Sequence, residues 1–113
     1  MSVTEDRILE LRVFRLHAGT RERFHELFTT GARPMLERYG VTVVDAGPSA
    51  LDETGYYVIR AFPSVEDRAE TLRRYYGSEE WLTRFDEAVM SMIDTYHTVV
   101  LPAESPIPRA LLS

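Results

Sequence analysis

The sequence predicts an α+β domain in which one antiparallel sheet carries helices on a single face. Three observations point there. Four short segments alternate apolar and polar residues as strands do. Helical stripes with a period of about 3.6 fall between the first and second of these segments and between the third and fourth. The second and third are joined only by a turn-rich loop, as in a hairpin. The order β-α-β-β-α-β is the split βαβ, or ferredoxin-like, arrangement, whose helices cover one side of the sheet.

The stretch ILELRVFRLHAG, residues 8–19, opens as a strand and ends in a turn, with Thr20 placed to cap the helix after it. Phe24, Leu27, Phe28, Met35, Leu36 and Tyr39 then form a helix stripe. Pro34 lies inside it and removes a backbone donor, so a kink is expected over residues 30–33, and Gly40 stops the helix. Residues 41–46 and 56–62 are the hairpin strands, with Pro48, Asp52 and Gly55 in the loop between them. Ser64 and Asp67 have capping-box spacing at the head of a helix whose stripe is Val65, Ala69, Leu72 and Tyr76. Gly77 ends it, and Ser78 caps a further helix carrying Trp81, Phe85, Val89, Met92 and Ile93. Residues 95–101 form the last strand. One domain is expected over residues 1–113, with its core in 7–101 and a Pro-rich tail in 102–113.

Composition narrows the partners. The net charge is −5, with 44% hydrophobic and 27% charged residues. That speaks against nucleic acid or an anionic membrane, both of which require a basic face. No apolar run approaches the roughly 20 residues of a membrane span. The acidic start, MSVTEDRILEL, lacks the basic and apolar regions of a leader, so a cytoplasmic protein is expected. There are no cysteines and only three histidines, His17, His25 and His97, none at metal-ligand spacing from another. No phosphate-binding or hydrolase motif is present, so neither metal nor organic cofactor is expected.

The first strand raises a question of sides. One face runs Leu9, Leu11, Val13; the other runs Ile8, Glu10, Arg12, Phe14, Leu16. Giving the purely apolar set to the helices sends Glu10, Arg12 and Phe14 to the open side of the sheet, with Tyr56, Val58, Arg60 and Phe62 beside them. Such a patch calls for cover. The simplest cover is a second copy, in a two-fold homodimer whose sheets pack face to face. Glu10, Arg12, Phe14, Tyr56 and Arg60 are then interface residues, with the charges paired in the dimer core to fix its register.

The same residues resemble a known family. ILELRVFRLHAGTRERF is similar to the strand and turn that open NIPSNAP proteins, E-L-R-x-[YF]-x-[LV]-x-x-G. PMLERYGV resembles their mid-helix proline and closing glycine. YYGSEEW resembles their small-acidic-Trp segment but lacks its Asp-Pro, and VVLPAESPI is similar to their last strand. The likeness covers residues 8–107 and implies a dimeric α/β barrel. The wider superfamily includes cofactor-free monooxygenases of polyketide pathways, haem-degrading enzymes, muconolactone isomerases, and small cyclases and lyases. Animal members are associated with mitochondria and vesicles, whereas this acidic start looks like that of a bacterial relative. The haem degraders carry an Asn-Trp-His set, and this chain has no asparagine; simple haem ligation by a histidine stays open.

The resemblance implies a pocket between sheet and helices, built of apolar walls with a few polar groups. His97, on the alternating set with Val99 and Leu101, is the expected acid–base beside it. Tyr57 or Tyr96 is the expected hydrogen-bond donor, although alternation sends Tyr96 to the other side, toward the dimer. Trp81, Phe28, Phe85 and Met92 are candidate walls and His17 a candidate rim. His25 is expected at the surface. Two functional classes emerge: a small enzyme of secondary metabolism (isomerase, cyclase, lyase or monooxygenase) acting on an apolar or aromatic metabolite, or a non-catalytic homodimer that binds a ligand or protein.

Overall fold

The computed structural model describes residues 7–112. The acidic start, residues 1–6, and Ser113 of the expected tail lie outside the described residues. Strand β1 (Ile8–Leu16) leads to helix α1 (Arg21–Leu27), a π-helical turn (Phe28–Ala32) and α2 (Arg33–Arg38). Strands β2 (Thr42–Pro48) and β3 (Gly55–Phe62) form the hairpin. Helices α3 (Val65–Tyr76), α4 (Glu79–Arg84) and α5 (Asp86–Met92) precede β4 (Ile93–Leu101), and α6 (Pro106–Leu112) closes the chain. The sheet order is β2-β3-β1-β4 with every pair antiparallel, the ferredoxin-like topology. Among the described residues no helix is long and apolar enough to cross a membrane.

Most of the punctuation read from the sequence is in place; Thr20 is the exception, since its hydroxyl donates back to the His17 carbonyl at 2.7 Å and makes no side-chain cap bond to the helix. Gly40 takes φ +85°, the left-handed conformation that a C′ glycine supplies. Ser64 Oγ accepts the Asp67 N–H, and Ser78 Oγ accepts the Trp81 N–H. The break expected before Pro34 takes the form of a π turn, in which the Arg33 N–H reaches back to the Phe28 carbonyl. Pro34 donates no hydrogen bond and its ring crowds the carbonyl four residues earlier; one widened turn accommodates both. Gly31 lies within that turn because a Cβ there would come 2.5 Å from the ring of Phe85. The expected tail holds a short helix instead. Its prolines cluster in the first turn, where the missing N–H groups have no helical partner to lose.

The two sides of the sheet are the reverse of the expectation. Glu10, Arg12 and Phe14 stand in register with Arg60, Val58 and Tyr56 of β3 and with Val100, Thr98 and Tyr96 of β4. This set faces the helices. Leu11, Val13, Ile59, His97 and Val99 stand on the other side, at whose end Leu9 and Ala61 are buried. Val13 is 52% and Val99 56% exposed, while Glu10 is 0% and Arg60 2% exposed. Glu10, Arg12, Phe14, Arg60 and Tyr56 are therefore not on the open face, and Glu10 and Arg60 find each other within the protomer. On β2 the register slips between Val43 and Asp45, so Val44 is an extra, bulged residue and the alternation there has no single reading.

The buried charges are neutralised within the protomer. Arg60 and Glu10 are direct cross-strand partners. Arg60 donates through Nε to Glu10 Oε1 at 2.5 Å and through Nη2 to Oε2 at 3.1 Å, a two-pronged pair. Arg68 of α3 adds a third bond, Nε to Oε2 at 2.7 Å. Among the described residues no buried side-chain polar atom lacks a partner. Two clusters of buried side chains flank this group. One is built on Met35, Leu36, Phe62, Tyr75, Trp81 and Phe85, the other on Phe14, Phe24, Tyr56, Val58 and Met92; Leu27, Phe28 and Val89 pack on both.

Burial works to raise the Glu10 pKa, but the bonds and charges of Arg60 and Arg68 outweigh it and hold the carboxyl below its ordinary value. The unfolded chain therefore binds this proton more readily than the folded one. The stabilisation is complete above about pH 4.3, the unfolded value, and is lost as pH falls through the lower folded value. Glu10→Gln is expected to cost about 3–5 kcal/mol at neutral pH, because it leaves buried Arg60 without its counter-charge. Denaturant melts of both proteins at neutral and acidic pH check this. The gap between them should narrow below pH 4; a constant gap would refute the assignment.

Candidate functional site

A cavity of about 300 Å³ lies between the helix-facing side of the sheet and helices α1 to α5. Its walls are mainly apolar and aromatic, including Phe14, Phe24, Phe28, Val58, Trp81 and Val89. That size and lining are typical of small-molecule sites. The π turn helps to shape it, since Phe28 and Ala32 at its two ends both reach the lining.

The polar part of the wall is a cluster of Arg12, Arg60 and Tyr76. Tyr76 is the last residue of α3, and edge-on packing against Trp81 (4.9 Å between ring centres) fixes its ring. Its hydroxyl oxygen accepts from Arg60 Nη1 at 3.0 Å and from Arg12 Nη1 at 3.1 Å. Arg60 cannot swing away, because Glu10 holds the other edge of its guanidinium. Arg12 is held differently. It touches Thr98 Oγ1 at 3.4 Å, and its guanidinium carbon stands 5.0 Å from the ring centres of both Phe14 and Tyr96. Asp86, also in the lining, accepts Trp81 Nε1 at 3.0 Å.

This arrangement changes the acidity of Tyr76. Burial pushes the hydroxyl up, yet the charges of Arg60 and Arg12 and the bond from Arg60 more than reverse it, so Tyr76 lies below the ordinary tyrosine range. Its neighbour Tyr75 goes the other way, raised by burial, with its hydroxyl donating to the Ala32 carbonyl. Burial also drives Tyr56 up to about 12. A phenol of lowered pKa held by two cations exchanges its proton more readily than an ordinary one, which is the chemistry of a general acid or base.

The residues singled out from sequence divide. Tyr96, Trp81 and Phe28 line the cavity. Phe85 and Met92 are buried in the core beside it and do not line it. His97 is exposed on the open face opposite Val13, so it is not beside the pocket. Tyr57 shares that face and donates to Asp45 Oδ2 at 2.7 Å. His17 is exposed at the end of β1, outside the lining. His25 is exposed, with Nδ1 2.6 Å from the Tyr56 hydroxyl. The reversed sides explain both His97 and Tyr96. Reading Tyr76 as stripe packing, and Arg12 and Arg60 as interface, missed the cluster; the available signal was the pair of opposite charges inside a greasy strand face.

Fold and site together define a ferredoxin-like α+β domain with an apolar cavity beneath its sheet and a cationic cluster in one wall. The family model of NIPSNAP matches residues 9–106, so the chain belongs to the NIPSNAP family. No curated protein matches it. Among solved structures, it is similar to a NIPSNAP family protein of unknown function from Agrobacterium tumefaciens, with 23% identity, 90% of this chain and 94% of that one covered, and a TM-score of 0.77. A second NIPSNAP family protein from the same organism gives 16% identity, 84% and 90% coverage, and a TM-score of 0.77. A candidate antibiotic biosynthesis monooxygenase from Nitrosomonas europaea shares the fold at 17% identity, 89% and 93% coverage, and a TM-score of 0.69.

Tyr76 has a direct optical test. One of the chain's six tyrosines is expected to ionise below the ordinary value of about 10 in an ultraviolet absorbance titration. That early step should vanish in Tyr76→Phe and move up in Arg12→Met. A wild-type titration with no early tyrosine would contradict the charge balance described.

Proposed function

We propose that this protein is a small-molecule enzyme that holds an apolar or aromatic metabolite in the cavity beneath its sheet. In this reading Tyr76 moves a proton to or from the bound molecule, while Arg12 and Arg60 set its acidity and Trp81, Phe28 and Tyr96 orient the substrate. The observation that carries the proposal is Tyr76 itself, a hydroxyl gripped by two guanidiniums in the wall of an apolar cavity. Isomerisation, cyclisation, lyase chemistry and oxygen insertion into an electron-rich ring all need such a proton transfer. The NIPSNAP membership and the fold shared with a candidate antibiotic biosynthesis monooxygenase support that range of reactions.

The open side of the sheet supports a homodimer, through residues other than those first expected. Val13 and Val99 are exposed and Leu11 and Ile59 partly so, an apolar strip that a second copy would cover. The same strip favours the second reading, a non-catalytic dimer that binds a ligand or another protein.

Native mass spectrometry of the protein purified from its own host tests the first reading. A bound apolar or aromatic molecule is expected, and it should be absent from Val89→Trp, which fills the cavity. An empty wild-type protein that also takes up no aromatic compound from a library would favour the second reading.

The dimer is tested separately by sedimentation. Val13→Glu places a like charge from each copy in the shared face, and a monomer is expected with the protomer still folded. A wild-type protein that is monomeric at high concentration would remove the dimer from the proposal.

A further inference from the structure

We infer that the ligand of this cavity is an organic anion, and that its negatively charged oxygen is recognised by Arg12 together with the Tyr76 hydroxyl. The inference rests on the reading above and specifies the substrate class of the same site.

Arg12 carries the case. Of the three arginines gathered on this side of the sheet, Arg60 and Arg68 both reach Glu10. Arg12 does not. Among the described residues its side chain has no carboxylate partner; it meets a hydroxyl on Tyr76, a hydroxyl on Thr98 and two aromatic rings. Even with Asp86 of the lining counted beside Glu10, three guanidiniums leave positive charge over, and Arg12 is the member bonded to neither carboxylate. It is half-buried in the cavity wall. A cation removed from water is costly unless something negative meets it. A guanidinium also offers paired donors that suit the two oxygens of a carboxylate or the single oxygen of an enolate or phenolate.

Tyr76 adds the second donor. Its oxygen accepts from both Arg12 and Arg60, and among the described residues its own proton has no acceptor. That proton is free for a ligand oxygen. The negative group in the lining, Asp86, already accepts from Trp81 Nε1. The rest of the wall is aromatic or aliphatic, which suits a flat apolar body attached to the charged oxygen.

The test compares naphthoate with the neutral, isosteric naphthamide by calorimetry on the full chain. Wild type should bind naphthoate about tenfold or more tightly than naphthamide, as one charge-assisted bond implies. Arg12→Met should erase the preference by weakening naphthoate far more than naphthamide, while Arg12→Lys should retain part of it. Tyr76→Phe, which keeps the ring packing, should weaken naphthoate more than naphthamide and provides the check if Arg12→Met folds poorly. Equal binding of both probes by wild type would overturn the anion and leave the cavity reading intact. A naphthoate preference that survives both Arg12→Met and Tyr76→Phe would place the charge recognition elsewhere and overturn the inference. Binding of neither probe, with no displacement of an apolar dye, would fail the cavity reading and this inference together.

Discussion

The structure depends on one buried ion pair. Glu10 and Arg60 meet across the middle of the two central strands, where a lone charge would be ruinous. Their two-pronged geometry allows the charged side of the sheet to be the inner side. Arg68 ties helix α3 to the same carboxylate. Tyr76, at the other end of that helix, rests on the far edge of Arg60. The pair thus fixes which way the sheet faces and where the second helical layer sits, and it supplies the charge in the cavity wall.

A division of labour among the aromatic residues results. Tyr75 and Tyr76 are adjacent in sequence and 4.8 Å apart between ring centres. One hydroxyl is spent on a backbone carbonyl and is simply a packed core group. The other meets two guanidiniums, whose charges hold it below the ordinary tyrosine range. Chemical character is set by which partner each ring can reach, and successive helix positions, about 100° apart around the axis, send the two rings to different partners. Gly77 is required where α3 ends because a Cβ would meet the Arg73 carbonyl at 2.8 Å.

Much of the fold was legible because its signals are local. Ser64, Ser78 and Gly40 cap or close helices through groups a few residues away, and Pro34 distorts its helix through its own ring. The sides of the sheet were not legible, and the reason is physical. Alternation separates two sets of residues but does not say which set is buried. The usual rule sends charges outward, and that rule fails where Glu10 finds Arg60 fifty positions away. The site inherited the error. His97 was attractive as a lone titratable group among Val99 and Leu101, yet it stands on the side the helices do not cover. Tyr76 gave no sign of its role, since a tyrosine at stripe spacing looks like packing until its hydroxyl partners are known. Val44 could not be assigned to either side because a bulge interrupts β2.

The π turn over Phe28–Ala32 bears on how such a cavity diversifies. Each residue of a helix advances about 100° around the axis, so one surplus residue rotates everything after it by that amount. Here Phe28 and Ala32, at the two ends of the turn, both contribute to the cavity, as does Leu36 one turn further on, while Met35 stays in the core. Deleting one residue from the turn would restore regular winding and change in a single step which side chains of this segment meet the cavity. Chain length in this segment is therefore a discrete control on pocket shape, separate from the graded control that side-chain exchange offers. Relatives differing by one residue here would be expected to differ in the bulk of what they hold, even with the arginines and tyrosine unchanged.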